Sequence, residues 1–215
     1  MIFDEFRREF KRLDPVFTDF EWGSKYKYAL FLAQVFHFVK HSSRIMSAVA
    51  SRLPHSHEKI HSMLLQHANE EKGHQFLAVT DLKALGYKVS DLPELNSTRC
   101  FYETQYCKAL FGNPIAFYGY ALTLEGTAVM RLKEVYSKCK EFHGDSASHF
   151  FKVHSVDDDQ HVETAIRELD KLGDEDRAEI IQNLSQSTYA FIKMFEEINE
   201  VGAVAKNQTS IKDAG

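Results

Sequence analysis

The run IAFYGYALTLEGTAVM, from Ile115 to Met130, decides the fold. Its apolar residues surround nearly every side of a helix, and a helix of that kind is buried among other elements. Asn113-Pro114 just before it supplies a cap and a first-turn proline, so the helix opens there and reaches about Phe142. Inside this run Glu125 is the one acid or base other than tyrosine.

The rest of the chain agrees with a helical bundle. From Ser24 to Leu53, apolar side chains at Tyr28, Leu32, Val35, Val39, Ile45, Val49 and Leu53 form a helical stripe that Pro54 stops. A second helix is expected from Glu58 to Leu85, ended by Gly86. A short one spans Thr98 to Phe111, a fifth runs from Ser146 to Leu172, and a sixth from the acidic start at Asp174 to about Val201. The four prolines stand where helices could begin or end. Nothing reads as a strand, and no linker or fixed-period repeat divides the 215 residues. The expectation is an all-α bundle of about six helices forming one domain over residues 1–215, with a frayed tail at 202–215.

Composition narrows the function. A net charge of −5 with both signs interspersed leaves no basic stripe for nucleic acid. Apolar residues never run uninterrupted for the roughly 18 positions of a membrane span, and MIFDEFRREFKRLD has no signal-peptide core. Cysteines at 100, 107 and 139, without a CxxC, suit a reducing compartment. Cytoplasmic residence follows as the expectation, with no membrane and no nucleic-acid partner.

A carboxylate in an apolar helix costs several kcal/mol unless a cation or hydrogen-bond donors compensate it. Two other helices offer donors that would complete a metal site. In HANEEKGH, residues 67–74, positions His67, Glu71 and His74 share one side of a helix, because neighbours on its surface are three and four apart. Glu70 is the alternative to Glu71, but the three-residue step from Glu71 to His74 matches that from Asp158 to His161. His67 reads as a core or surface histidine before an additional ligand. In HSVDDDQH, residues 154–161, His154, Asp158 and His161 repeat the geometry. The first helix has no Asp or Glu between Ser24 and Leu53, so His154 would fill the place of the fourth Glu of the usual di-iron carboxylate bundle. The candidate ligands are Glu71, His74, Glu125, His154, Asp158 and His161. Imidazole and carboxylate without thiolate suit iron or manganese.

The runs HANEEKGHQFLAVTDLKALG, GYALTLEG and HSVDDDQHVETAIRELDKL resemble the haem-oxygenase-like di-iron oxidases and oxygenases, iron-containing redox enzymes that include the chlamydial death-domain-associated protein. The resemblance runs from about Tyr28 to Leu172. It implies a haem-oxygenase-like bundle without haem, commonly dimeric, with two irons bound per chain by those six residues. It also implies O2 as co-substrate for oxidation of a small organic molecule, of the fatty-acid or amino-acid-derived amine kind. Phe36, Tyr118 and Tyr120 are candidates to line the pocket, with plain core as the commoner role. Gly119 and Gly126 read as close-packing positions. Three rivals stay open: a haem enzyme with His37 or His41 as axial ligand, a thiaminase-like enzyme using Cys107 or Cys139, and a non-catalytic interaction protein.

Overall fold

The computed structural model describes residues 1–155 and 159–212, and side chains at 1–155 and 164–205. Among the described residues it is all helix and turn. The α-helices are α1 (Ile2–Thr18), α2 (Lys25–Val39), α3 (Ser42–Ala50), α4 (Glu58–Glu70), α5 (Gln75–Ala84), α6 (Asn96–Phe111), α7 (Phe117–His143), α8 (His149–His154), α9 (Asp159–Leu169) and α10 (Asp174–Lys212).

The sequence accounts for these segments with four corrections. An amino-terminal helix, α1, is present. Its Phe6, Leu13 and Phe17 face the core, its charges face water except Glu9, which is buried and accepts from Arg12, and Pro15 lies inside it rather than at an end. The expected helices at 24–53, 58–85 and 146–172 are each interrupted, so the bundle has more and shorter segments than six. The first breaks at Lys40-His41, where the His41 N–H turns to the Phe38 carbonyl three residues back instead of four. The second breaks within HANEEKGH, as described below, and in the third α8 ends at His154 with Ser155 in a turn, α9 beginning at Asp159. Finally, α10 continues past Val201 to Lys212, where fraying was expected.

Helices α7 and α10 form the centre. They approach so closely that a Cβ on Gly119 would stand 2.3 Å from the Leu184 nitrogen and 2.4 Å from the Ile180 oxygen, so only glycine lets the two backbones meet. Helix α10 also packs on α1, α2 and α6. The core is aromatic: Trp22 lies 5.3 Å from Phe31 and 5.6 Å from Phe151, and Phe17 lies 4.8 Å from Phe195. Each such buried side chain contributes roughly 1.5–3 kcal/mol. The Trp22 indole N–H is satisfied by the Phe17 carbonyl at 2.9 Å. Buried Gln34 on α2 fastens the loop before α6, donating to the Pro93 carbonyl and accepting from Leu95 N and Thr98 Oγ1. No described helix is long and apolar enough to cross a membrane.

The α2–α3 pair, the α4–α5 pair, α7 and α8 surround the polar residues singled out by the sequence. Helix α2 packs on α5, α3 on α4, and α5 and α7 on α8.

Candidate metal centre

The helix expected to run unbroken through HANEEKGH stops at its centre. Glu70 ends α4, Gln75 begins α5, and Gly73 between them adopts φ +97°, a conformation that favours glycine. His67 therefore stands in the last turn of α4, with Glu71 and His74 as the residues that flank the break. The turn keeps Glu71 and His74 together, with His74 Nδ1 3.2 Å from Glu71 Oε1. Glu70, the alternative, is exposed and accepts from Gln66 Nε2 at 2.9 Å on the helix surface.

Glu71 is the hub. Its Oε1 also lies 4.0 Å from His67 Nε2 and 4.0 Å from His154 Nε2. Glu125 joins from α7, its Oε1 3.6 Å from His67 Nε2. Two triads of donors result, His67–Glu71–Glu125 and Glu71–His74–His154, the atoms of each lying within 4.8 Å of one another. Donors bound to one ion at about 2.1 Å stand about 3 Å apart when adjacent and about 4.2 Å apart when opposite. The distances around Glu71 fall in that interval.

His154 reaches the cluster from the end of α8. Its Nδ1 lies 2.8 Å from the Phe150 carbonyl, which can only accept, so this ring nitrogen carries a proton and Nε2 is the atom that faces Glu71. The rings of His154 and His74 meet edge-on at 5.0 Å. Asp158 lies outside the described residues, and so does the side chain of His161, although its backbone belongs to α9.

Electrostatics follow from this crowding. Burial alone would raise the Glu71 pKa, but the hydrogen bond from His74 and the fields of His154, His74 and His67 hold it below the usual carboxylate value. At His67, burial disfavours the imidazolium, yet the hydrogen bond and charge of Glu125, followed by Glu71 and Glu70, raise its pKa above the ordinary histidine value.

Glu125 is less enclosed than the sequence implies. Its side chain is 34% exposed, because this face of α7 lines a cleft of about 70 Å³ instead of solid core. The apolar walls of the cleft come from Val39, Met46, Phe117, Leu124 and Leu132, among others. Of the three aromatic residues expected at a pocket, Tyr120 lines it. Phe36 instead lies under the Lys40 ammonium at 5.5 Å, and the Tyr118 hydroxyl faces the Ile60 carbonyl at 3.5 Å. A Cβ on Gly126 would meet the Phe6 ring at 2.3 Å, so this glycine, like Gly119, serves packing.

The sequence undervalued His67. Its position four residues before Glu71 and seven before His74 was the available signal, and in the structure it belongs to one triad.

The residues of the rival readings lie elsewhere. His37 pairs with Glu94 at 3.6 Å, and His41 stacks on Tyr102 at 4.2 Å, with its Nδ1 3.0 Å from the Tyr106 hydroxyl. Both face α6 and the loop before it rather than the cleft. Cys107 is exposed, and Cys139 is buried with its thiol pushed up to about 12 by desolvation, so Cys139 offers no activated thiolate.

Residues 29–195 match the family described as iron-containing redox enzymes. No curated protein matches the sequence. Among solved structures, a domain of unknown function with a haem-oxygenase-like fold from Shewanella denitrificans is similar with a TM-score of 0.80 at 20% identity, over 93% of this chain and 92% of that one. A TenA homologue from Pseudomonas syringae pv. tomato gives 0.77 at 13% identity, over 92% of each chain. Another TenA homologue, from Pyrococcus furiosus, gives 0.68 at 12% identity, over 92% of this chain and 100% of that one. At these identities the likenesses establish the fold, which is the haem-oxygenase-like all-α bundle. The family match extends over both triads, and the chain belongs to the iron-containing redox enzymes.

Proposed function

We propose that this chain is a non-haem di-iron oxidase or oxygenase that uses O2 to oxidise a small organic substrate. The observation that carries the reading is the position of Glu71, one carboxylate within 4.0 Å of three imidazoles and common to two donor triads. A carboxylate so placed suits a bridge between two ions. His67 and Glu125 would hold one of them, and His74 and His154 the other. Asp158 and His161, assigned by the resemblance, complete the proposed set.

Imidazole nitrogen and carboxylate oxygen, with no sulfur in either triad, form a donor set that suits iron, and manganese as an alternative. Bound iron would supply the one-electron and O2 chemistry that no side chain can perform alone.

The chain's own contribution is geometric and electrostatic. The Phe150 carbonyl fixes the tautomer of His154. Glu71 is kept ionised by the imidazoles around it. His67 must give up its proton before its nitrogen can bind a metal. The apolar walls contributed by Val39, Met46, Phe117 and Leu132 limit water around the reacting atoms. A volume of about 70 Å³ is well below the roughly 300–1,000 Å³ of pockets for drug-sized ligands, which favours a small or slender substrate. Cytoplasmic residence and a homodimer belong to the same proposal.

The test is O2 uptake by the metal-free protein on addition of Fe(II), measured with an oxygen electrode. Uptake above that of free iron, lost in Glu71→Ala and kept in Glu70→Ala, supports the reading. Uptake equal to free iron, or unchanged by Glu71→Ala, refutes it.

A further inference from the structure

Four tyrosines are buried among the described residues, and three have a partner for the hydroxyl. Tyr28 donates to the Ala147 carbonyl at 2.7 Å, Tyr102 to Glu94 at 2.9 Å, and Tyr118 faces the Ile60 carbonyl at 3.5 Å. Tyr120 is the fourth. Its ring is fixed against Phe101 at 4.6 Å and Phe117 at 5.7 Å, and the residue is 2% exposed, yet its hydroxyl oxygen is buried without a hydrogen-bond partner. A phenylalanine would fill the same space without the desolvation cost of an unsatisfied hydroxyl.

The hydroxyl belongs to a residue that lines the cleft with Glu71, Glu125, His67 and His154. Burial, and then the Glu71 and Glu125 carboxylates, push the phenol pKa upward, so the group keeps its proton and is available as a donor. Rigid packing of the ring means that little side-chain freedom is lost when an acceptor arrives.

We propose that Tyr120 is the hydrogen-bond donor for a small anionic ligand bound at the metal centre. The chemical class is an anion or carboxylate small enough for the cleft. In a cleft that already holds two carboxylates, only a bound cation makes such a ligand welcome, so the inference rests on the di-iron reading. It adds a specificity-determining residue outside the metal-ligand set.

Azide is the probe. Iron-loaded, air-oxidised protein is titrated with azide and followed by its absorption, alongside Tyr120→Phe. The variant should bind the same amount of iron but bind azide roughly tenfold more weakly, the loss typical of a hydrogen bond to a charged group. The metal-free Tyr120→Phe should melt no lower than the metal-free parent, because it loses a hydroxyl that had no partner. Equal azide affinity in the two proteins would overturn the proposal. So would a lower melting temperature of the metal-free variant, which would reveal a structural partner. A phenolate-to-iron absorption band lost on substitution would make Tyr120 a metal ligand instead and would equally overturn it. If the parent takes up no iron, the di-iron reading itself fails, an outcome distinct from equal azide affinity in two iron-loaded proteins.

Discussion

Asp81 Oδ1 takes two hydrogen bonds from the single residue His149, one from its backbone N–H at 2.9 Å and one from its ring Nδ1 at 3.0 Å. The other oxygen, Oδ2, accepts from the Phe150 N–H at 2.8 Å. Asp81 has no solvent exposure and lies on α5, which His74 caps, while His149 and Phe150 open α8, whose end is His154. One buried carboxylate thus ties together the two helices that deliver neighbouring imidazoles to Glu71. A carboxylate at a helix start satisfies N–H groups that have no partner within the helix.

Asp81→Ala should leave the buried Phe150 N–H and the part-buried His149 N–H unpaired and cost about 3 kcal/mol, a fall of roughly 6–12 °C in Tm for a chain of this size. Because α8 loses its anchor, the variant that still folds should also bind iron more weakly than the parent, although Asp81 is not a ligand. Thermal denaturation and an iron titration check both parts. An unchanged Tm would show that the clamp contributes little.

The two packing glycines should differ in what they tolerate. An added methyl at Gly119 meets the α10 backbone at 2.3–2.4 Å, which cannot yield without separating α7 from α10. Gly119→Ala should therefore destabilise by about 1–3 kcal/mol or more. At Gly126 the obstacle is the end of the Phe6 ring, a side chain able to move. Gly126→Ala should cost less, and denaturant unfolding of both variants gives the order. The reverse order would mean that α10 shifts more readily than Phe6.

In the metal-free protein the His67 pKa is set by opposing effects, burial lowering it and the Glu125 hydrogen bond and charge, then Glu71 and Glu70, raising it to a net value above the usual one. The interaction contributes fully to stability below the unfolded histidine pKa and is lost as the pH rises through the higher folded value. Glu125→Gln should lower the His67 pKa, measured by NMR titration of the metal-free protein. A pKa that stays or rises would contradict the pairing.

Much of this was legible beforehand. The apolar face pattern of residues 115–130 identified α7, and Glu125, Glu71, His74 and His154 do meet. What escaped was local. Periodicity persists across Glu71–His74, so the second helix read as continuous, and Gly73 was the sign that its backbone turns away. At Lys40-His41 neither glycine nor proline marks the break, and the tightened hydrogen bond to Phe38 leaves no trace in side-chain spacing. Helix α1 is masked in the sequence because its charges alternate with phenylalanines, although Phe6, Leu13 and Phe17 make an apolar stripe. The place of His67 depends on the packing of α7, which brings Glu125 within 3.6 Å, and spacing along one helix does not carry that.

The central claim is that Glu71 joins two metal positions, and anaerobic titration of the metal-free protein with Fe(II) tests it most directly. The account predicts binding that saturates at two irons per chain, falls well short of two in Glu71→Ala, and is unchanged in Glu70→Ala. Saturation well below one iron in the parent, or two irons retained by Glu71→Ala, would contradict it.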